Sequence, residues 1–217
     1  MKAVISICFS LVLLTGSSQS KKYEEAMKKN LAQWDQAKND DDLLNVAKGF
    51  EQIASTEKKD WLSNYYAGIC YVVISFSKTG KEIDTWDDKA EHFCNMADSL
   101  SKNNSEVYVL RSMIASSRIA VNGAVRGSKY GKLSEDYLNT ALKLNDNNPR
   151  AYLQNAQAVF YTPEIFGGGP KKAKPIYEKA VEKYKTFKPA SSIHPRWGKE
   201  MATKALAECD AKINSKP

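Results

Sequence analysis

The 217-residue sequence has little of what metal or covalent chemistry needs. Its two histidines, His92 and His194, stand far apart, and neither a His-Glu-x-x-His nor a Cys-x-x-Cys spacing occurs, so no zinc site is written in the pattern. Four cysteines are present, one of them, Cys8, inside the N-terminal apolar run. The remaining three, Cys70, Cys94 and Cys209, are an odd number in apolar helical stretches, which excludes a disulfide framework, leaves at most one bridge and fits buried thiols. Ser-x-x-Lys occurs at Ser55 to Lys58 and at Ser75 to Lys78, but the Ser-Asp-Asn and Lys-Thr-Gly companions of an acylating serine are missing. Acidic groups such as the Asp40-Asp41-Asp42 run and Asp87-Asp88 are expected at helix starts, where carboxylates cap amides. With no catalytic constellation and no cofactor motif, the chain reads as a protein that is not an enzyme. No alternating apolar and polar run of strand length is found, and no apolar run approaches the roughly 20 residues of a spanning helix.

What is present begins with a leader. Met1 and Lys2 precede a twelve-residue apolar run, 3–14, and a small-residue exit through Ser18, Gln19 and Ser20. This pattern predicts a signal peptide over 1–20, cut after Ser20 or after Ser18, and hence an exported protein, periplasmic if the source is bacterial. No transmembrane segment remains once the leader is removed. Lys and Arg number 32 against 25 Asp and Glu, with the signs interleaved, which argues against nucleic acid as a partner.

Nearly all the rest has apolar residues three and four apart with Asn, Asp, Gly and Pro at the breaks, predicting helices over 22–38, 42–56, 60–78, 85–101, 105–121, 129–144, 149–161, 170–185 and 195–214. Three segments repeat a small residue, a bulkier one four on and an alanine three further: Ala90-Cys94-Ala97, Ser134-Leu138-Ala141 and Ala173-Tyr177-Ala180. Fifteen residues beyond Ala97 and Ala141 stand Ser112 and Ala156, while Gly68 follows Ala54 by fourteen. Small residues in this register let paired helices approach closely. The stretch from Ala141 through Pro149 to Tyr152, and Gly68 with Tyr71, resemble the tetratricopeptide repeat, a 34-residue helix-turn-helix unit. The resemblance implies an all-α, short solenoid of hairpins at about 22–56, 60–101, 105–144 and 149–185 with a C-terminal capping helix at 195–214, one domain over 21–217. It also implies a scaffold that mediates protein–protein interaction in the cell envelope, through a partner the sequence does not name.

Measured against that family, the turns inside the last three hairpins are lengthened by ten, ten and five residues, expected to crowd one rim. The shortest, Tyr161 to Lys172, contains Glu164, Phe166, Gly167, Gly168 and Gly169 ahead of Pro170, and Lys171 and Lys172 stand at the start of the next helix. It reads either as a tight turn that tucks Ile165 and Phe166 onto its hairpin or as a binding element for an anionic group, and it is similar to loops of exported bacterial repeat proteins that accompany periplasmic solute transporters. The second candidate is the concave groove, to which the resemblance assigns Tyr65, Ile69, Val72, Val109, Met113, Leu153, Gln157, Phe160 and Tyr161. An open groove would take a peptide helix or a small hydrophobic ligand, and a groove filled by the C-terminal helix leaves the rim as the site. The alternative function is therefore small-molecule binding, or a transporter-accessory role, through groove and glycine loop.

Overall fold

A computed structural model describes the backbone over residues 12–215 and the side chains from Lys21 onward. The first eleven residues of the expected leader lie outside the described residues, and its end forms the first turns of α1, Val12–Gln36. Among the described residues every regular element is helical: α2 Asp40–Thr56, α3 Leu62–Ser75, α4 Glu82–Leu100, α5 Ser105–Ile119, α6 Gly123–Leu144, α7 Pro149–Tyr161, α8 Pro170–Thr186 and α9 Lys199–Asn214. A single 3-10 turn, Glu164–Phe166, lies between α7 and α8.

Asparagine starts four of these helices. The side chains of Asn39, Asn104, Asn122 and Asn148 accept from backbone amides of the first turns of α2, α5, α6 and α7, and Pro149 occupies the first position of α7. Helices pack in adjacent pairs, with the first members, α3, α5 and α7, also touching one another in sequence. The small residues sit where the helices meet. Ala90, Cys94 and Ala97 are wholly buried, as are Ala141, Ala156, Ala173 and Ala180, and a Cβ on Gly68 would press on Leu110 and the Ala90 carbonyl. Successive hairpins are pinned by polar contacts: Ser105 donates to the Ala141 carbonyl at 2.9 Å and receives a bond from the Asn148 amide, also at 2.9 Å.

Two of the three lengthened turns, those before α4 and α6, are not loops crowding a rim, whereas the third, between α7 and α8, stays a loop. α4 begins at Glu82 and α6 at Gly123, so most of the extra residues add turns to the second helices. These extensions are held by charge. Arg126 on α6 makes two bonds to Asp84, of 2.6 and 2.9 Å, while Arg118 on α5 reaches Asp84, Asp88 and Glu91. Arg126 holds the Asp84 carboxyl below the usual carboxylate range. Asp87 consequently lies inside α4 and not at its start; it is buried and bonded by Ser117. The three expected thiols are free and buried.

The last helix starts at Lys199, four residues after the expected Pro195, because Gly198 takes φ +104 and ends the preceding extended segment. Residues 187–198 form a strap. Its Ile193 carbonyl accepts from Tyr66, its Trp197 carbonyl from Tyr184 at 3.1 Å, and the Trp197 indole donates to Tyr65 at 3.1 Å. Arg196 reaches back to Asp35 on α1 at 2.5 Å. Beneath the strap, Arg150 and Glu106 form a two-bond ion pair with both distances 2.7 Å, and the guanidinium lies 4.5 Å from the Phe187 ring centre. Burial works to lower the Arg150 pKa, but the Glu106 carboxylate more than offsets it, so the guanidinium stays charged.

Candidate functional site

Of the residues assigned to a concave groove, the structure buries Tyr65, Ile69, Val72, Val109, Met113, Leu153 and Phe160, and half-buries Gln157. What covers the early part of that face is the strap with Ile193 and Trp197, not helix α9, which packs on α8 and the side of α7. Tyr161 alone of the set is exposed, at 71%.

The rim is built around the end of α7. The Glu164–Phe166 turn closes through bonds from the Phe166 and Gly168 amides to the Pro163 carbonyl and from the Gly167 amide to Glu164. Each glycine has its own reason. Gly167 takes φ +85 and Gly169 φ +95, and a Cβ on Gly168 would collide with the carbonyls of Thr162 and Val159. The Gly169 amide then bonds the Val159 carbonyl at 2.8 Å, drawing the loop back onto α7. A turn fixed this closely holds Ile165 at 86% and Phe166 at 75% exposure, so the tucked arrangement does not occur. Lys171 and Lys172 are exposed in the first turn of α8, which carries no acidic residue there.

Behind the tip lies a cavity of about 460 Å³ lined by Phe160, Tyr161, Thr162, Pro163, Glu164, Gly169, Pro170 and Lys212. Its volume is in the range of ligand sites, roughly 300–1,000 Å³, but it is shallow and largely open to solvent. Phe160 and Tyr161 meet edge to face with ring centres 5.0 Å apart, and the Lys212 ammonium stands 4.7 Å from the centre of the Phe160 ring. α9 is clamped here by Lys174 to Asp210 at 2.6 Å and by the Cys209 thiol on the Pro170 carbonyl at 3.1 Å. Burial pushes the Cys209 thiol up. The arrangement offers an apolar slot with one aromatic hydroxyl, the Glu164 carboxylate and one ammonium, Lys212, which stands 3.6 Å from Glu208. Phe160 and Tyr161 therefore join the rim and not the groove, and Lys212, half a hundred residues away in sequence, is the lining residue that sequence reasoning missed. No sequence signal linked it, since only the docking of α9 brings it there.

A second cavity, about 370 Å³, lies between α4 and α6 over α5, with Asp88, Glu91, Arg111, Arg118 and Lys129 at its walls and Cys94 below. Burial raises the Cys94 thiol to about 12. Among the described residues no group of three or more His, Cys, Asp and Glu is placed to hold a metal ion, and no helix is long and apolar enough to cross a membrane.

No protein-family model matches the chain and no curated protein does, so the tetratricopeptide likeness rests on the register of small residues. Among solved structures the chain is similar to the HusA haemophore from Porphyromonas gingivalis, at 37% sequence identity over 88% of this chain and 94% of that one, with a TM-score of 0.80. Agreement of this length and identity in an all-helical architecture places the chain in the family of the HusA haemophore.

Proposed function

We propose that the chain is an exported, non-catalytic carrier that holds a flat amphipathic ring ligand of the haem class in the cavity between the end of α7 and α9. The family of a haemophore supports a small ligand over a protein partner as the principal cargo, and the strap over the early part of the concave face leaves no open groove there for a peptide helix. The single observation that carries the site is the cavity itself. A macrocycle with carboxylate arms needs an apolar slot open at one side and a cation at its edge. Phe160, Tyr161 and Pro170 supply the faces, Lys212 the cation, and the Tyr161 hydroxyl is an oxygen donor of the kind ferric haem accepts. The leader over 1–20 accounts for export.

Titration of the protein with haemin, followed by absorbance, tests this. Saturable binding at one equivalent is expected, with affinity lowered about tenfold or more, some 1.4 kcal/mol, in Tyr161→Ala and Lys212→Glu. Tyr161→Phe keeps the ring and removes the hydroxyl, so a changed ferric spectrum in that variant marks the hydroxyl as the iron's partner. Unsaturable binding, or wild-type affinity in both Tyr161→Ala and Lys212→Glu, refutes the proposal.

A further inference from the structure

We infer that the Ile165 and Phe166 tip, together with Lys171 and Lys172, docks the protein onto an anionic lipid surface. Neither tip residue lines the ligand cavity, yet both are among the most exposed large apolar side chains of the protein, with Tyr161 beside them. Single exposed apolar residues are ordinary on a soluble surface, but two adjacent ones on a fixed turn, next to a third at the end of α7, are not. The tip cannot fold away. Its glycines and the bonds to Pro163, Glu164 and Val159 hold it outward, so inserting it into a headgroup layer orders nothing that is not already ordered.

Charge points to the same surface. Residues 162–217 contain 12 Lys and Arg against 6 Asp and Glu, whereas 21–161 contain 19 of each, so the whole positive excess of the exported chain lies in the part that carries the tip. Near the tip, Lys171 and Lys172 are exposed in a helix start whose amide dipole also favours anions. Of the acidic groups in this region, Glu164 lies back over Gly169 and Asp210 is paired with Lys174, while Glu178 and Glu182 are placed farther along α8. An aromatic and an aliphatic side chain flanked by lysines is the composition that binds at the boundary of headgroups and acyl chains, with attraction to anionic lipid added to apolar burial. The docked face lies beside the cavity mouth, where a membrane-soluble ring would enter or leave.

Flotation of ligand-free protein with vesicles decides the matter. Binding to phosphatidylcholine vesicles containing phosphatidylglycerol is expected at low salt, about tenfold weaker on pure phosphatidylcholine and weakened likewise by raising salt to roughly 0.5 M. Ile165→Ser with Phe166→Ser, and separately Lys171→Glu with Lys172→Glu, should each remove most of it. Both pairs are exposed, so unchanged circular dichroism and melting temperature show that the fold is intact. No binding to the anionic vesicles overturns the inference, and so does wild-type binding by the Ser variant, which would mean that the lysines merely collect any polyanion. The Ser variant should keep wild-type affinity for haemin in vesicle-free solution. A protein that floats but binds no haemin would refute the carrier proposal alone, and one that binds haemin but does not float would refute this one alone.

Discussion

Replacing Glu106 by Ala removes the counter-ion of the most buried cation in the described structure. The Arg150 side chain is 1% exposed and that of Glu106 14%, and the guanidinium lies 4.5 and 5.8 Å from the centres of the Phe187 and Trp197 rings. Two unit charges at this range attract by about 4 kcal/mol at an effective dielectric of 20. Desolvation of both groups offsets most of that, so the intact pair contributes little net stability. Removing one partner is different, since it strands a charge under the strap at about 3–5 kcal/mol. For a chain of this length each kcal/mol moves the melting temperature by about 2–4 °C, so Glu106→Ala should melt roughly 6–20 °C below wild type. Arg150→Met leaves the partly exposed Glu106, which water can reach, and should lose only about 1–3 kcal/mol. Glu106→Leu combined with Arg150→Met should return to within about 1–2 kcal/mol of wild type, because an apolar pair replaces the charges. Urea unfolding read by tryptophan fluorescence and far-ultraviolet circular dichroism gives all three values. A loss under about 1 kcal/mol in Glu106→Ala, or a double variant as unstable as the sum of the singles, would refute the reasoning.

Met113→Ala and Phe160→Ala remove side chains that are 5% and 7% exposed, and each should cost about 2–5 kcal/mol in unfolding measurements without ligand; melting temperatures equal to wild type would restore an open groove. Asp87 is pushed up to about 6, mainly by burial, so its cost is absent below the unfolded value and grows as pH rises through 6. Asp87→Asn should therefore gain on wild type by about 1–2 kcal/mol between pH 4 and pH 7.5 in paired thermal melts, and an equal pH dependence of the two proteins would exclude an ionised buried carboxylate. Ala156→Leu overpacks a fully buried helix contact and should cost about 1–3 kcal/mol, whereas an unchanged melt would argue against the register. Gly168→Ala drives a Cβ into two carbonyls of α7, so it should cost about 1–3 kcal/mol by calorimetry and weaken haemin binding; a variant as stable as wild type would show that the loop gives way.

The sequence by itself determined the helices and their pairing. Apolar residues three and four apart define faces, asparagines mark starts, and alanine, serine and glycine in register allow close contact, all of which are local signals that survive without knowledge of the fold. Boundaries near Gly123 and Glu82 were not legible, because those turns are held as helix by Arg126 and Arg118 against acids more than two dozen residues away in α4. The same limit hid the strap. Residues 187–198 carry no period of their own, and their course is set by the carbonyls that Tyr66 and Tyr184 seek and by the charge of Arg150 beneath. In the candidate site, three glycines and a proline announced a fixed turn, but whether Ile165 and Phe166 point in or out depended on the close approach of Gly168 and Gly169 to the end of α7, a distance in space. Lys212 reaches the cavity only because α9 docks on α8 through Asp210 and Cys209. Periodicity and capping are written residue by residue along the chain, whereas the site is made of contacts between segments, and only the tertiary structure decides which segments meet.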